Sequence, residues 1–284
     1  MLEPLRTAFR LVRPEEIAIV ERDGDGQRPT MGFFTDTTLC IGCKACEVAC
    51  KQWNQLPSDG LRFTGHSYDN TRHLSETTWR HVAFVEQIAP DRSRDRSRWL
   101  MMSDVCKHCQ EAPCQEACPT GAILHNEFGD VYVQPDICNG CGYCIVACPF
   151  GVLGRSEIDG HAHKCTLCYD RQKGDMVPAC AKACPTDSIQ FGSVEELRAK
   201  ARQRVEDLHA RGQTEAYLYG ADATAEYSPL NAFFLLTDHP NAYNLPEAPK
   251  KPVKGMSARY GFSLLAGVAL TALSAVFFAQ GGRR

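Results

Sequence analysis

The feature that most constrains this chain is the run Cys138-Asn139-Gly140-Cys141-Gly142-Tyr143-Cys144-Ile145-Val146-Ala147-Cys148-Pro149. Its spacing, C-x2-C-x2-C-x3-C-P, is one that holds [4Fe–4S] cubanes through cysteine thiolates. Three closely spaced thiolates can wrap one cubane, while the fourth, after a short helical turn, ligates a second. Such a run therefore implies a partner run, and three more are present. Cys40, Cys43, Cys46 and Cys50 repeat the x2, x2, x3 spacing. Cys106, Cys109, Cys114 and Cys118 follow x2, x4, x3 and precede Pro119. Cys165, Cys168, Cys180 and Cys184 follow x2, x11, x3 and precede Pro185. Together they use all 16 cysteines, the number that four [4Fe–4S] clusters need.

Other uses of cysteine fit less well. A disulfide framework belongs to short chains without enough core, and this one has 284 residues with 44% hydrophobic content. Zinc ribbons pair two C-x2-C units at a distance and do not use triplets followed by a fourth Cys and a Pro.

Net charge is −3 and the pI about 6.3, so charge provides no case for nucleic acid. Residues 1–30 carry Arg6, Arg10, Arg13, Glu15, Glu16, Glu21 and Arg22 and show neither an apolar signal segment nor paired arginines. At the other end, Gly261 to Ala279 is 19 residues without a charge, close to a membrane span. Lys250, Lys251, Lys254 and Arg259 precede it, and Arg283 and Arg284 follow.

The pattern divides the chain into an arm (1–34, with a turn at Asp23-Gly24-Asp25-Gly26), a four-cluster domain (35–192) with an insertion at 51–105, a helix and irregular connector (193–256), a transmembrane helix (257–280) and a basic tail (281–284). His81 to Ile88 reads as a strand, and the mixed charges of Asp91 to Arg98 read as a solvated loop. Ala122–Asn126 and Asp130–Gln134 flank Glu127-Phe128-Gly129 as a hairpin. Cys118-Pro119-Thr120-Gly121-Ala122-Ile123 parallels Cys184-Pro185-Thr186-Asp187-Ser188-Ile189, which points to duplication. Each Pro ends the short helix before it. Ser193-Val194-Glu195-Glu196 is a capping box for a helix to about Ala210, stopped by Gly212. Phe233-Phe234-Leu235-Leu236 reads as a buried strand. With 16 sulfurs available, His108, His161 and His163 are expected at the surface or beside the clusters, not on iron. The fold class is α+β and loop-rich, with two dicluster modules and one C-terminal transmembrane helix.

Ser263, Gly267, Thr271, Ala275 and Ala279 recur every four residues and form one stripe of small side chains on a helix. In lipid such a stripe admits another helix closely. The segment has no His or Met to hold a haem axially, so it anchors and does not conduct. There is no phosphate-binding Gly loop, dinucleotide fingerprint or hydrolase signature. Four clusters without a catalytic site make an electron wire, so function depends on what sits at each end.

The four motifs, in this order and spacing, resemble the ferredoxin-like iron–sulfur subunits that accompany molybdenum or tungsten bis-pterin oxidoreductases. Within that group the chain resembles the beta subunit of membrane-bound formate dehydrogenase. The likeness rests on Thr38-Leu39-Cys40-Ile41-Gly42-Cys43-Lys44-Ala45-Cys46, Cys50-Lys51-Gln52-Trp53-Asn54, Lys164-Cys165-Thr166-Leu167-Cys168-Tyr169-Asp170-Arg171, Leu236 to Pro246 and the C-terminal helix. The resemblance implies that motifs one and four share clusters, as do two and three. One cluster then takes Cys40, Cys43, Cys46 and Cys184, and its neighbour takes Cys165, Cys168, Cys180 and Cys50. The other pair takes Cys106, Cys109, Cys114 with Cys148, and Cys138, Cys141, Cys144 with Cys118. Some nitrate reductase relatives replace a Cys and hold a three-iron cluster, whereas no Cys is missing here.

The role so implied is transfer of electrons from a metal–pterin catalytic subunit that oxidises formate, through four [4Fe–4S] clusters, to a membrane cytochrome b subunit and quinone. Alternatives are the same wire in a membrane-bound hydrogenase or a sulfur-compound or sulfoxide reductase, and, from another class, a zinc-stabilised scaffold without redox chemistry. The excess of basic residues before the helix puts the cluster domain weakly in the cytoplasm. The resemblance puts it on the outer face of the inner membrane.

Overall fold

The protein is described by a computed structural model over residues 28–60, 63, 65, 68, 71–91, 97–252 and 256–281. The turn at Asp23-Gly24-Asp25-Gly26, most of the charged run after Asp91, and Lys254, Arg283 and Arg284 lie outside the described residues.

The first elements are strand β1 (Met31–Asp36), helix α1 (Ala45–Trp53), and strands β2 (Arg80–Gln87) and β3 (Arg98–Val105). The middle of the sequence carries helix α2 (Pro113–Glu116), strands β4 (Ile123–His125) and β5 (Val131–Val133), helix α3 (Tyr143–Ala147), and strands β6 (Gly154–Arg155) and β7 (Ala162–His163). Helices α4 (Tyr169–Lys173) and α5 (Ala179–Lys182), strand β8 (Ile189–Ser193), helix α6 (Val194–Ala210), strands β9 (Tyr217–Tyr219) and β10 (Ala232–Leu236) and helix α7 (Met256–Gly281) complete the order.

The apolar run at 232–236 is buried at every residue, as a strand covered on both faces must be. It lies inside a four-stranded sheet of order β8-β1-β10-β9. β1 pairs with β10 in parallel (Phe33 opposite Ala232) and with β8 antiparallel (Phe33 opposite Phe191). Side chains alternate across the sheet. Phe34, Phe233 and Leu235 pack with Leu197, Ala201 and Leu208 of α6. Phe33, Phe234 and Leu236 belong to the core shared with the cysteine motifs. The sheet is therefore the floor on which the thiol-bearing loops sit.

Several expectations change here. Residues 31–34, the end of the expected arm, are buried sheet. The connector after 193 supplies β9 in addition to β10, which is the buried strand expected at Phe233 to Leu236. A strand so apolar finds its burial by pairing across almost 200 residues, which local pattern cannot reveal. The helix after Ser193 is present, but Ser193 makes no side-chain capping bond. Ser193 is also the last residue of β8, and the backbone amide of Val194 bonds Thr30 O instead.

The strand expected at His81 to Ile88 is β2, and it pairs along its whole length with β3. Arg98, the last residue of the charged run, is not loop but the first residue of β3, and it bonds Thr237 and Asp238. The hairpin expected around Glu127-Phe128-Gly129 forms as β4 and β5. In α7, Tyr260–Phe278 is 19 residues long with mean hydropathy 2.0, and none of it is buried against the rest of the protein.

Candidate iron–sulfur sites

All sixteen thiols are free. Cys40, Cys43, Cys46 and Cys184 line one cavity. Cys106, Cys109, Cys114 and Cys148 line another. Cys144 is pushed up to about 11 by burial and by the neighbouring thiols of Cys138, Cys118 and Cys141. Burial raises Cys165 strongly, and the thiols of Cys50, Cys106, Cys180 and Cys168 add to it. Two of the sets that the resemblance implied thus line one cavity each, and thiols of the other two are electrostatic neighbours of one another.

The exchange of the fourth thiol has a simple cause. Helix α1 carries Cys46 and Cys50 one turn apart, and it packs on α5, which carries Cys180 and leads to Cys184. Such packing places each helix where it could offer one thiol to each of two neighbouring sites, as the resemblance implies. Helices α2 and α3 pack in the same way, with Cys114 leading to Cys118 and Cys144 leading to Cys148.

Each motif also bends its backbone the same way. The residue before the second cysteine is left-handed in all four: Gly42 (φ 66), His108 (φ 41), Gly140 (φ 70) and Leu167 (φ 53). This turn points successive amides toward one concavity, a form suited to anionic sulfur. Gly140 has no alternative, because a Cβ there would lie 2.2 Å from the carbonyl oxygen of Gly160. For His108 and Leu167 the conformation costs on the order of 1–2 kcal/mol each. Both are fully buried, so packing holds them in it.

The Cys-Pro-Thr repeat acquires a role as well. Thr120 Oγ1 lies 3.6 Å from Cys118 Sγ, and Thr186 Oγ1 lies 3.8 Å from Cys184 Sγ. Burial raises the Cys118 thiol, but hydrogen bonds from the Thr120 hydroxyl and the amides of Thr120, Ile123 and Ala122 outweigh it and bring it below its ordinary value.

Buried cations stand among the thiols, Arg80, Lys164 and Lys107 being the most enclosed of the described residues. Arg80 donates from Nη2 to Cys180 Sγ at 3.2 Å. Burial would lower its pKa, yet the thiols of Cys180, Cys46 and Cys165 outweigh burial and raise it. Lys164 donates to the carbonyl oxygens of Val131 and Cys165. It is likewise lowered by burial and raised more by Cys106, Cys114 and Cys165. Lys107 pairs with Asp104 and lies over the rings of Phe150 and Phe234. Sequence reasoning missed all three. Lys107 and Lys164 directly adjoin motif cysteines, which is a usable signal, whereas nothing marks Arg80 in a strand 26 residues before Cys106.

His108 is fully buried next to Cys109, so of the two expected placements it takes the one beside the thiols, and burial holds its imidazole well below its ordinary pKa. His163 is half-buried and pairs with Asp159 at 2.8 Å, and His161 is half-buried.

These residues fit [4Fe–4S] clusters. Burial pushes Cys46, Cys109 and Cys168 up to about 12 each, so the free thiols would keep their protons at neutral pH and only a bound metal would displace them. The neighbouring buried cations call for that negative charge. Among the described residues, no three Cys, His, Asp or Glu groups converge as tightly as a single metal ion requires. The thiols surround spaces, not points.

The fold and its four quartets define a class, that of polycluster iron–sulfur electron-transfer proteins built from two dicluster modules. Two family profiles, each described as a 4Fe-4S dicluster domain, match residues 39–122 and 97–194. The formate dehydrogenase iron-sulfur subunit of Haemophilus influenzae is 39% identical over 248 residues, covering 86% of this sequence and 77% of the relative. The formate dehydrogenase-O iron-sulfur subunit of Escherichia coli is 40% identical over 219 residues, 76% of this sequence and 70% of the relative. The B subunit of the anaerobic dimethyl sulfoxide reductase of Escherichia coli is 35% identical over 175 residues, 60% of this sequence and 76% of the relative. The protein belongs to the family of formate dehydrogenase iron–sulfur subunits.

Proposed function

We propose that this protein is the electron-transfer subunit of a membrane-bound formate dehydrogenase. The observation that carries this reading is the joint one: four cysteine motifs with sixteen free thiols, in a sequence 39–40% identical to such subunits over most of its length. The dimethyl sulfoxide reductase relative covers a smaller share of the sequence, 60%, which favours formate over sulfoxide as the substrate of the complex.

Each [4Fe–4S] cluster, when bound, takes up and releases one electron. Cys40, Cys43, Cys46 and Cys184 hold the first, and Cys165, Cys168, Cys180 and Cys50 hold its neighbour. Cys106, Cys109, Cys114 and Cys148 hold the third, and Cys138, Cys141, Cys144 and Cys118 the fourth. Proximity supports this order along the line of sites: Cys46 feels Cys180, and Cys165 feels Cys106. The two inner sets are almost wholly buried, whereas each outer set has one exposed thiol, Cys43 or Cys141. Burial insulates the middle of the wire, and exposure leaves its ends within reach of partners.

Those partners are a molybdenum or tungsten bis-pterin catalytic subunit and a membrane cytochrome b subunit that passes electrons to quinone. Helix α7 supplies the anchor, and its stripe of Ser263, Gly267, Thr271, Ala275 and Ala279 is the face offered to the membrane partner. The cluster domain, 35–192, lies on the outer face of the inner membrane.

The test is anaerobic. The solubilised complex is captured through this subunit, formate is added, and EPR is recorded. Reduced [4Fe–4S] signals together with a large metal–pterin subunit support the reading. Clusters that respond to dithionite but not to formate would leave the wire standing and remove the substrate. A zinc-containing complex with no iron–sulfur signal would remove both.

A further inference from the structure

Arg80 joins two cluster sites through one side chain. It is fully buried at the start of β2, and its guanidinium lies over the Phe33 ring at 4.7 Å. Nη2 donates to Cys180 Sγ at 3.2 Å. Nη1 donates to the carbonyl oxygen of Ser103 at 3.3 Å and to its Oγ at 3.4 Å. Ser103 Oγ in turn lies 3.2 Å from Cys46 Sγ. With Cys46 as a thiolate, Ser103 accepts from Arg80 and donates to sulfur, so the hydrogen bonds run in one direction. Arg80 and Ser103 are diagonal neighbours near the mouth of the β2–β3 hairpin, where Val82 opposes Ser103 and Arg80 opposes Val105.

Among the described residues no carboxylate pairs with Arg80; the groups that act on its charge are the thiols of Cys180, Cys46 and Cys165. A buried cation without counter-charge is strongly unfavourable, so the negative charge that balances it is the sulfur itself. Charge and hydrogen bonds at the sulfurs set the reduction potential of a cluster. A fixed cation favours the reduced form, which carries one more negative charge.

We propose that Arg80, with Ser103, is a shared potential-setting bridge that holds up the reduction potentials of two neighbouring clusters, those of Cys40, Cys43, Cys46 and Cys184 and of Cys165, Cys168, Cys180 and Cys50. This rests on the cluster assignment given above. Arg80 acts on the clusters through sulfur and is a positioning residue, so its signature is a potential, not a rate.

The test is a potentiometric EPR titration, with dithionite as reductant, of the purified complex carrying Arg80→Gln, Arg80→Lys or Ser103→Ala. Arg80→Gln removes the charge and keeps a donor. It is expected to lower two of the four midpoint potentials by about tenfold in the reduction equilibrium, ~59 mV for one electron. The other two stay put. Arg80→Lys restores the charge and returns both potentials close to wild type. Ser103→Ala lowers only one. If Arg80→Gln retains four clusters with unchanged potentials, or shifts all four alike, the bridge is overturned. If that variant assembles fewer clusters, Ser103→Ala decides: one lowered potential supports the bridge, and four unchanged ones overturn it. Because dithionite supplies the electrons, a wrong substrate leaves this result intact, whereas a wild-type complex without four [4Fe–4S] signals defeats the cluster reading itself.

Discussion

Tyr227 donates its phenolic hydrogen to Cys109 Sγ across 3.2 Å, although 118 residues separate the two in sequence. The ring is buried and meets Phe150 edge-on, with centroids 5.8 Å apart. Tyr227 lies well outside the cysteine motifs, so the segment after α6 closes over a thiol quartet as well as completing the sheet. A hydrogen bond to a cluster sulfur favours the reduced form. Tyr227→Phe keeps the ring and removes the donor. It is expected to lower the potential of the cluster at Cys106, Cys109, Cys114 and Cys148 by about 60 mV or less, at a stability loss of about 1 kcal/mol. Potentiometric EPR of the complex reads the first and thermal unfolding the second. An unchanged potential would make the contact merely structural.

The exposed and buried thiols should behave differently on removal. Cys141 is exposed at the end of the line of sites, while Cys165 is fully buried between two quartets. In Cys141→Ala three thiolates remain, and the iron that loses its ligand becomes labile. A three-iron signal in the oxidised protein is expected at that site, with the other three clusters intact. Cys165→Ala removes a ligand whose neighbours are all buried, and it is expected to prevent assembly of the inner pair. Iron content and EPR of the two variants distinguish these outcomes, and equal losses from both would argue against the burial gradient.

Much of this was legible because cysteine spacing is a covalent constraint. The four cysteine motifs, the hairpin at Gly129 and the helix from Val194 all follow from local pattern, whereas the sharing of thiols between motifs is implied only by the family resemblance. What escaped was carried by residues distant in sequence. Nothing near Phe33 announces Ala232 as its sheet partner, and nothing in an Arg-His-Val strand announces Cys180 as a hydrogen-bond acceptor. The capping box at Ser193 misled for a related reason. Its backbone is already committed to β8, so the side chain is not where an isolated helix would put it. Left-handed turns at Gly42 and Gly140 suit their residue type, whereas those at His108 and Leu167 do not and could only be seen in three dimensions.

Asp130 gives the protein a pH dependence near neutrality. Its Oδ2 accepts hydrogen bonds from Gln172 at 2.6 Å and Asn126 at 3.3 Å, while the buried Oδ1 has no partner. Burial pushes its pKa up from 3.8 to about 7, against the pull of Gln172, Asn126 and Lys164. Between those two values the folded state holds a proton that the unfolded state has lost. Stability therefore falls as pH rises toward 7 and the loss is complete above it. Asp130→Asn cannot ionise and escapes this. From pH 6 to pH 8 the variant is expected to gain on wild type by about 1 kcal/mol, a few degrees in unfolding midpoint. A difference between the two that stays constant with pH would show that Asp130 is charged throughout.

The stripe on α7 can be tested at Gly267, because none of the described residues packs against that position. A Cβ at Gly267 would meet no atom within 4 Å, and the carbonyl oxygen of Gly267 already accepts the Thr271 hydroxyl at 2.8 Å, as a continuous helix allows. Gly267→Leu therefore adds no clash within the subunit and improves helix propensity by about 1 kcal/mol. Any harm must come from a neighbour that needs the helix close, since small residues set how near two membrane helices can pack. The expected outcome is four clusters retained, continued membrane association, and loss of the co-purifying membrane subunit. Leu265→Ala, off the stripe, serves as the control and should leave the complex whole. If Gly267→Leu keeps its membrane partner in full yield, the stripe is only the ordinary small-residue content of a membrane helix, and the contact lies on another face of α7.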